Sequence, residues 1–199
     1  MTSPRVILFD VMDTLVVDPF RDEMPAFFGI TFEEMMRAKD PHAWIEFECA
    51  RIDEATFYER FFADGRRFDG AAFRAHVADA YRFVPGVPAL LDALREARVP
   101  MHALSNYPCW YEIIEARLAL SRHLSRRFVS FETGVRKPDV AAYLGAASAL
   151  GVAPSECVFV DDRATNCEAA SRVGMDTIVF SDAASLGDAL TRRGILPRA

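Results

Sequence analysis

Three carboxylates, one lysine and a serine-asparagine pair are the residues whose types and placing could do chemistry. Asp10 ends the apolar run Val6-Ile7-Leu8-Phe9, and Asp161-Asp162 ends the run Cys157-Val158-Phe159-Val160. Ser105-Asn106 follows a third apolar run, and Lys137 stands directly before Pro138. Each alone has an ordinary reading: Ser105 as a helix cap, Lys137 as a surface charge ahead of an N1 proline, Asp161 as a turn residue. Together, polar points at the ends of several strands of one sheet need more than folding to explain them. A strand-end carboxylate can be a nucleophile that forms an aspartyl intermediate. Three acidic groups close together repel strongly unless a cation shares their site, and oxygen ligands suit magnesium. Such an ion neutralises a substrate phosphate and sets it for in-line attack. Ser105, with backbone amides, can hold phosphoryl oxygens, and Lys137 can balance charge on nucleophile and intermediate.

The elements that must position these groups follow from the hydrophobic pattern. After Pro85-Gly86 the chain alternates helix and strand: helix 88–98, strand 101–104, helix 110–120, strand 128–130 and helix 138–150. It continues with strand 157–160, helix 164–173, strand 177–180 and helix 184–193. Alternation at this length implies a parallel sheet covered on both faces, and open sheets of that kind hold ligands at the carboxyl ends of their strands. Between residues 31 and 82 the pattern is instead helical and aromatic-rich. Breaks at Asp40-Pro41, Asp64-Gly65 and Asp69-Gly70 divide it into three or four helices. The expected fold class is thus α/β, a Rossmann-like three-layer core with a parallel sheet, plus a small all-helical cap. The core comprises residues 1–16 and 85–199, and the cap residues 17–84.

Bulk properties narrow the function classes. Of 199 residues, 29 are acidic and 23 basic, so the formal charge of -6 offers no general attraction to nucleic acid or an anionic membrane. The pairs Arg66-Arg67 and Arg126-Arg127 read as solvated faces. No apolar run approaches the roughly 18 residues that span a bilayer, and residues 1–5 carry no signal-peptide pattern. The four cysteines, Cys49, Cys109, Cys157 and Cys167, lack metal or redox spacing. They read as reduced thiols of a cytoplasmic protein, each a small buried hydrophobe. His42, His76, His102 and His123 show no base–nucleophile arrangement and read as structural or surface residues.

The chain resembles the haloacid dehalogenase (HAD) superfamily, in the subgroup with a helical cap inserted after the first motif. The resemblance is carried, in order, by Phe9-Asp10-Val11-Met12-Asp13-Thr14-Leu15, by the approach from Phe83-Val84-Pro85-Gly86-Val87 to Leu104-Ser105-Asn106, by Ser130 through Lys137-Pro138-Asp139, and by Phe159-Val160-Asp161-Asp162 with Asn166 and Ala169-Ala170. It covers nearly the whole core; the cap matches only in being helical. It implies that Asp10 is the nucleophile and that Asp10 and Asp161 ligate Mg2+, with the Met12 backbone carbonyl as a third ligand. It further implies that Thr14 and Ser105 orient phosphate, with Asn106 beside them, that Lys137 stabilises charge, and that Asp162 and Asn166 lie beside the metal. The implied substrate is a small phosphorylated molecule.

One position departs from that pattern. Phosphatases of the superfamily carry an aspartate two residues after the nucleophile, which protonates the leaving oxygen and then activates water. Met12 can do neither. Asp13, one residue later, either substitutes through a distorted loop or is a turn or surface carboxylate. A general acid–base is worth about 10²–10⁴-fold in rate, and its loss hurts most where an alkoxide must leave. Three readings follow: a magnesium-dependent phosphatase acting through Asp10, a weakened member that binds a phosphorylated ligand, and a 2-haloacid dehalogenase. The last suits Met12, since halide leaves without a proton, but not Asp161-Asp162, since those relatives are metal-free there. In the cap, Trp44, Phe47 and Glu48 are candidates to face the substrate. Arg21 could touch an anionic one or form a surface ion pair.

Overall fold

Val6–Phe9 (β1) is apolar at every position because it is the middle strand, buried on both faces. A computed structural model describes residues 6–197, so the expected outer limits of the core at residues 1 and 199 fall outside the described residues. The sheet contains Met101–Ser105 (β2), Arg126–Val129 (β3), Cys157–Asp161 (β4) and Asp176–Val179 (β5), in the order β3-β2-β1-β4-β5. Every pairing is parallel, and Phe9 sits level with Ala103 on one side and Val160 on the other.

Alternating side chains send Ile7 and Phe9 to one face and Val6 and Leu8 to the other. The insert after β1, residues 17–84, contains five α-helices and no strand. They are Glu23–Phe28 (α1), Phe32–Ala38 (α2), Ala43–Glu48 (α3), Glu54–Arg60 (α4) and Gly70–Ala80 (α5). The rest of the chain supplies Val87–Glu96 (α6), Tyr111–Leu118 (α7), Ser130–Thr133 (α8), Val140–Leu150 (α9), Ala164–Arg172 (α10) and Ala183–Arg192 (α11). Leu91 and Leu94 of α6, Ile114 of α7, and Leu186 and Leu190 of α11 join the Phe9 face. Tyr143 and Ala146 of α9, with Cys167 and Ala170 of α10, join the Leu8 face. These are the expected three layers.

Boundaries shift where sequence pattern is weakest. Strand β3 begins at Arg126, two residues before the expected start, and ends where Ser130 opens α8. It is an edge strand, and its arginines face outward: Arg126 donates to the Ala149 carbonyl, and Arg127 pairs with Glu112 and Glu132. Helix α9 starts at Val140 rather than at Pro138, because Asp139 is its N-cap and accepts from the Ala141 amide. Helix α1, which contains Pro25, falls in a segment where the periodicity is too short to read.

The insert leaves and rejoins the sheet through adjacent segments. Val16 bridges Phe83 in antiparallel fashion, with Val17 N donating to Arg82 O and Val84 N to Leu15 O, both at 2.9 Å. Its interior is aromatic: Phe47 stacks on Phe57 at 4.5 Å, and Phe28, Phe61, Phe68 and Phe73 pack mainly edge to face. This cluster continues into the sheet layer through Trp110, 5.8 Å from Phe57.

Candidate active site

The strand ends bring the predicted residues together. Asp10 lies one residue past β1 and takes the Val160 carbonyl with its amide, while Asp161 is the last residue of the neighbouring β4. Lys137 is buried between them, its Nζ 2.8 Å from Asp10 Oδ1 and 2.6 Å from Asp161 Oδ2. Asp10 Oδ1 also accepts from the Val11 amide, so Oδ2 is its oxygen without a hydrogen bond among the described residues. Asp161 is more fully engaged: Arg163 N donates to Oδ1, and Asn166 Nδ2 reaches both oxygens at 3.0 Å. Asp10, Asp161 and Asp162 each offer an oxygen within 4.8 Å of the others.

Electrostatics follow from that crowding. Burial pushes the Asp10 carboxyl up to about 7; Lys137 opposes the shift, and Asp161 and Asp162 add to it. Asp162 is pushed up to about 6 by burial and by Asp161 and Asp13. Burial alone would lower the Lys137 ammonium, but the Asp10 and Asp161 charges outweigh it and hold it above its usual range. Three carboxylates against one ammonium leave an excess of negative charge that a dication would neutralise. The donor set is all oxygen, as magnesium prefers.

Other predicted residues serve different parts. Asn106 clamps the Lys137 backbone, donating from Nδ2 to its carbonyl at 2.8 Å and accepting from its amide at 2.7 Å. Both ends of the amide are thus occupied, and its evident task is to place Lys137. Thr14 is fully buried, away from the cleft lining, and its hydroxyl accepts from the Asp162 amide at 3.1 Å. The Ser105 hydroxyl, at the end of β2, is buried just behind the cleft lining and has no hydrogen-bond partner among the described residues, an orphan that a phosphoryl oxygen would satisfy. The Met12 carbonyl likewise has no partner among the described residues, since its neighbours Val11 and Asp13 make the loop's bonds to Val16.

A cleft of about 410 Å³ opens above these groups. Its floor includes Asp10, Met12, Lys137, Asp162 and Asn166, and one wall is aromatic, built from Phe20, Phe32 and Trp44. Phe20 meets Phe32 edge to face at 5.6 Å and Trp44 at 6.1 Å, and Arg21 stands 5.3 Å over Phe32. Of the three residues expected to face the substrate, Trp44 and Glu48 line the cleft, whereas Phe47 is buried against Phe57. Glu48 is ion-paired to Arg136, which joins α3 to the loop carrying Lys137. Arg21 lines the cleft as well.

Sequence reasoning missed Asp18, Phe20, Phe32 and Arg136 in the lining; for all but Phe32, closeness to the first and third motifs was the available signal. None of the histidines lines the cleft. Cys109 is exposed, unlike the other three cysteines, because it lies in the loop ahead of α7.

Comparison with known proteins places the chain in a family. The model of the haloacid dehalogenase-like hydrolases matches residues 4–174, and the chain belongs to that family. It is 44% identical over 190 residues to flavin mononucleotide hydrolase 1 of Arabidopsis thaliana, a chloroplast protein by its name, covering 96% of this chain and 78% of the relative. A glyceraldehyde 3-phosphate phosphatase of Methanopyrus kandleri is 34% identical over 98 residues, 47% of this chain and 41% of its own length. A HAD family enzyme of Bacteroides thetaiotaomicron in complex with magnesium superposes with a TM-score of 0.79 at 20% identity, covering 96% of this chain and all of the other. These likenesses make the protein a hydrolase with the HAD α/β fold.

Proposed function

We propose that the protein is a Mg2+-dependent phosphomonoesterase acting through Asp10, and that its substrate is flavin mononucleotide or a close relative. The observation that carries the reaction is the Lys137 bridge between Asp10 and Asp161, beside Asp162 and an unpartnered Ser105 hydroxyl. The substrate rests on the 44% identical plant enzyme, and the wall of Phe20, Phe32 and Trp44 suits a planar ring system.

Bound magnesium would offset phosphate charge and the mutual repulsion of the carboxylates. Asp10 and Asp161 would each offer it an oxygen together with the Met12 carbonyl, with Asp162 beside them, and Asp161 would also anchor Lys137 and Asn166. Asp10 keeps Oδ1 on Lys137 and Val11, so Oδ2 attacks phosphorus. Lys137 stabilises the charge that builds there, and Ser105 takes a phosphoryl oxygen. The helical insert acts as a cap: it supplies the aromatic wall and, through Glu48, fixes Arg136 over the floor. No helix among the described residues is long and apolar enough to cross a membrane. The four free thiols support a reducing compartment such as the cytoplasm.

The test is phosphate release from flavin mononucleotide and from a broad panel of phosphate esters, with and without magnesium. Turnover that needs the metal and is abolished by Asp10→Asn is expected. Hydrolysis of other esters but not of the flavin would overturn the substrate; no hydrolysis with any of several divalent metals would overturn the reaction. Binding of flavin mononucleotide without turnover would favour a ligand-holding role, which Met12 in the cleft floor makes the second reading.

A further inference from the structure

Met12 leaves the reaction without a proton carrier at the usual place, and the same loop brings another carboxyl to the cleft. Asp13 has a left-handed backbone, φ 54°, and its Oδ1 accepts from the Asp18 amide at 2.9 Å. That bond folds the chain back, so Asp13 and Asp18 both line the cleft with Asp10 and Asp162. Asp18 is half-buried; its Oδ1 accepts from the Phe20 amide at 3.0 Å, and its Oδ2 has no hydrogen-bond partner among the described residues.

We propose that Asp18, folded into the cleft by the Asp13 turn, is the general acid and base that Met12 cannot be. The inference rests on the phosphomonoesterase reading above. In the first half-reaction, a bond forms from Asp10 Oδ2 to phosphorus as the bond from phosphorus to the ester oxygen breaks. The Asp18 carboxyl gives its proton to that oxygen, and the alcohol leaves. In the second, the Asp18 carboxylate takes a proton from water as the water oxygen attacks phosphorus, releasing phosphate and restoring both aspartates. Burial pushes the Asp18 carboxyl up to about 7, helped by Asp13 and Asp162 and opposed by the Phe20 amide and Arg21, so near neutral pH it is available in both its proton-giving and proton-taking forms. The hydroxyls of Tyr81 and Tyr107, 2.7 Å apart, share its electrostatic surroundings. A carboxyl poised near the working pH is the most effective proton carrier. Asp13 is the exposed partner and holds the turn.

Leaving-group dependence separates proton transfer from a structural role. Flavin mononucleotide releases an alkoxide that needs a proton, whereas 4-nitrophenyl phosphate releases a stable phenolate. Rapid-quench kinetics on wild type, Asp18→Asn and Asp13→Asn, at saturating magnesium, would follow both substrates. The expected Asp18→Asn result is a loss of about 10²-fold or more in flavin mononucleotide cleavage. Its first-turnover burst of nitrophenolate stays within about tenfold of wild type, followed by slow turnover and a phosphorylated Asp10. Asp18→Ser, which keeps a short acceptor for the Phe20 amide, should give the same split. Equal losses on the burst and on the flavin, no loss on the flavin, or the split appearing in Asp13→Asn instead would each overturn the assignment. A wild type that transfers phosphate from neither substrate takes down the underlying phosphomonoesterase reading, a separate and visible outcome.

Discussion

Lys137 is the residue on which the site turns, since a fully buried ammonium is tolerated only because two carboxylates meet it. Replacing it with Met leaves Asp10 and Asp161 buried and unpaired, so Lys137→Met should cost about 3–5 kcal/mol of stability. Urea unfolding measures that loss, and acidification should recover part of it by protonating Asp10. An unchanged midpoint would mean that the pair contributes nothing. Asp10 and Asp161 were legible in the sequence because each ends an apolar run, and Lys137 because it stands directly before the proline ahead of a helix. Asp18 and Arg136 were not. Asp18 is brought to the cleft by one hydrogen bond, from its amide to the Asp13 carboxylate, and Arg136 is fixed by Glu48, 88 positions away. Spacing along a chain does not encode such contacts.

At the scale of elements, the parallel sheet was readable almost strand by strand, because β1, β2 and β4 are buried throughout and mostly apolar. The edge strands were displaced by one or two residues, since their outward charges look like loop. The insert was readable as helical but not as a surface: α3 turns Trp44 and Glu48 to the cleft and Phe47 to the interior, a choice set by packing against Phe57. Trp44 also tests the aromatic wall. Stacking of a base on an aromatic side chain is worth about 1–3 kcal/mol on truncation. Trp44→Ala should therefore raise the KM for flavin mononucleotide by roughly 5-fold to 150-fold and leave that for 4-nitrophenyl phosphate nearly unchanged. Steady-state kinetics on both substrates check this; equal effects on the two would remove Trp44 from ring recognition.

For the whole molecule, the raised carboxyls link stability, pH and metal. Asp10 and Asp18 at about 7, and Asp162 at about 6, lie above their ordinary value of 3.8. Folding thus favours their protonated forms. What they contribute to stability is complete below about pH 4 and is lost as pH rises through 6 to 7. A dication at Asp10 and Asp162 reverses the penalty on those two groups, and it competes with their protons. The rise in Tm produced by magnesium should therefore be small at pH 5 and larger at pH 8, measurable by calorimetry with and without the metal. An equal rise at both pH values would place the ion elsewhere.

The continuity of the aromatic interior from Phe57 through Trp110 into the sheet layer has a consequence for how such a chain can change over generations. A lineage cannot drift freely in the helical insert while preserving the chemistry beneath it, because the residues that shape the opening lean on those that hold the molecule together. Novel substrate preferences are accessible chiefly at Phe20 and Phe32, which border the cleft and are only partly buried, and at Arg21, which is exposed there. Deeper replacements in the insert charge both fitness terms at once, and selection on either one guards the other.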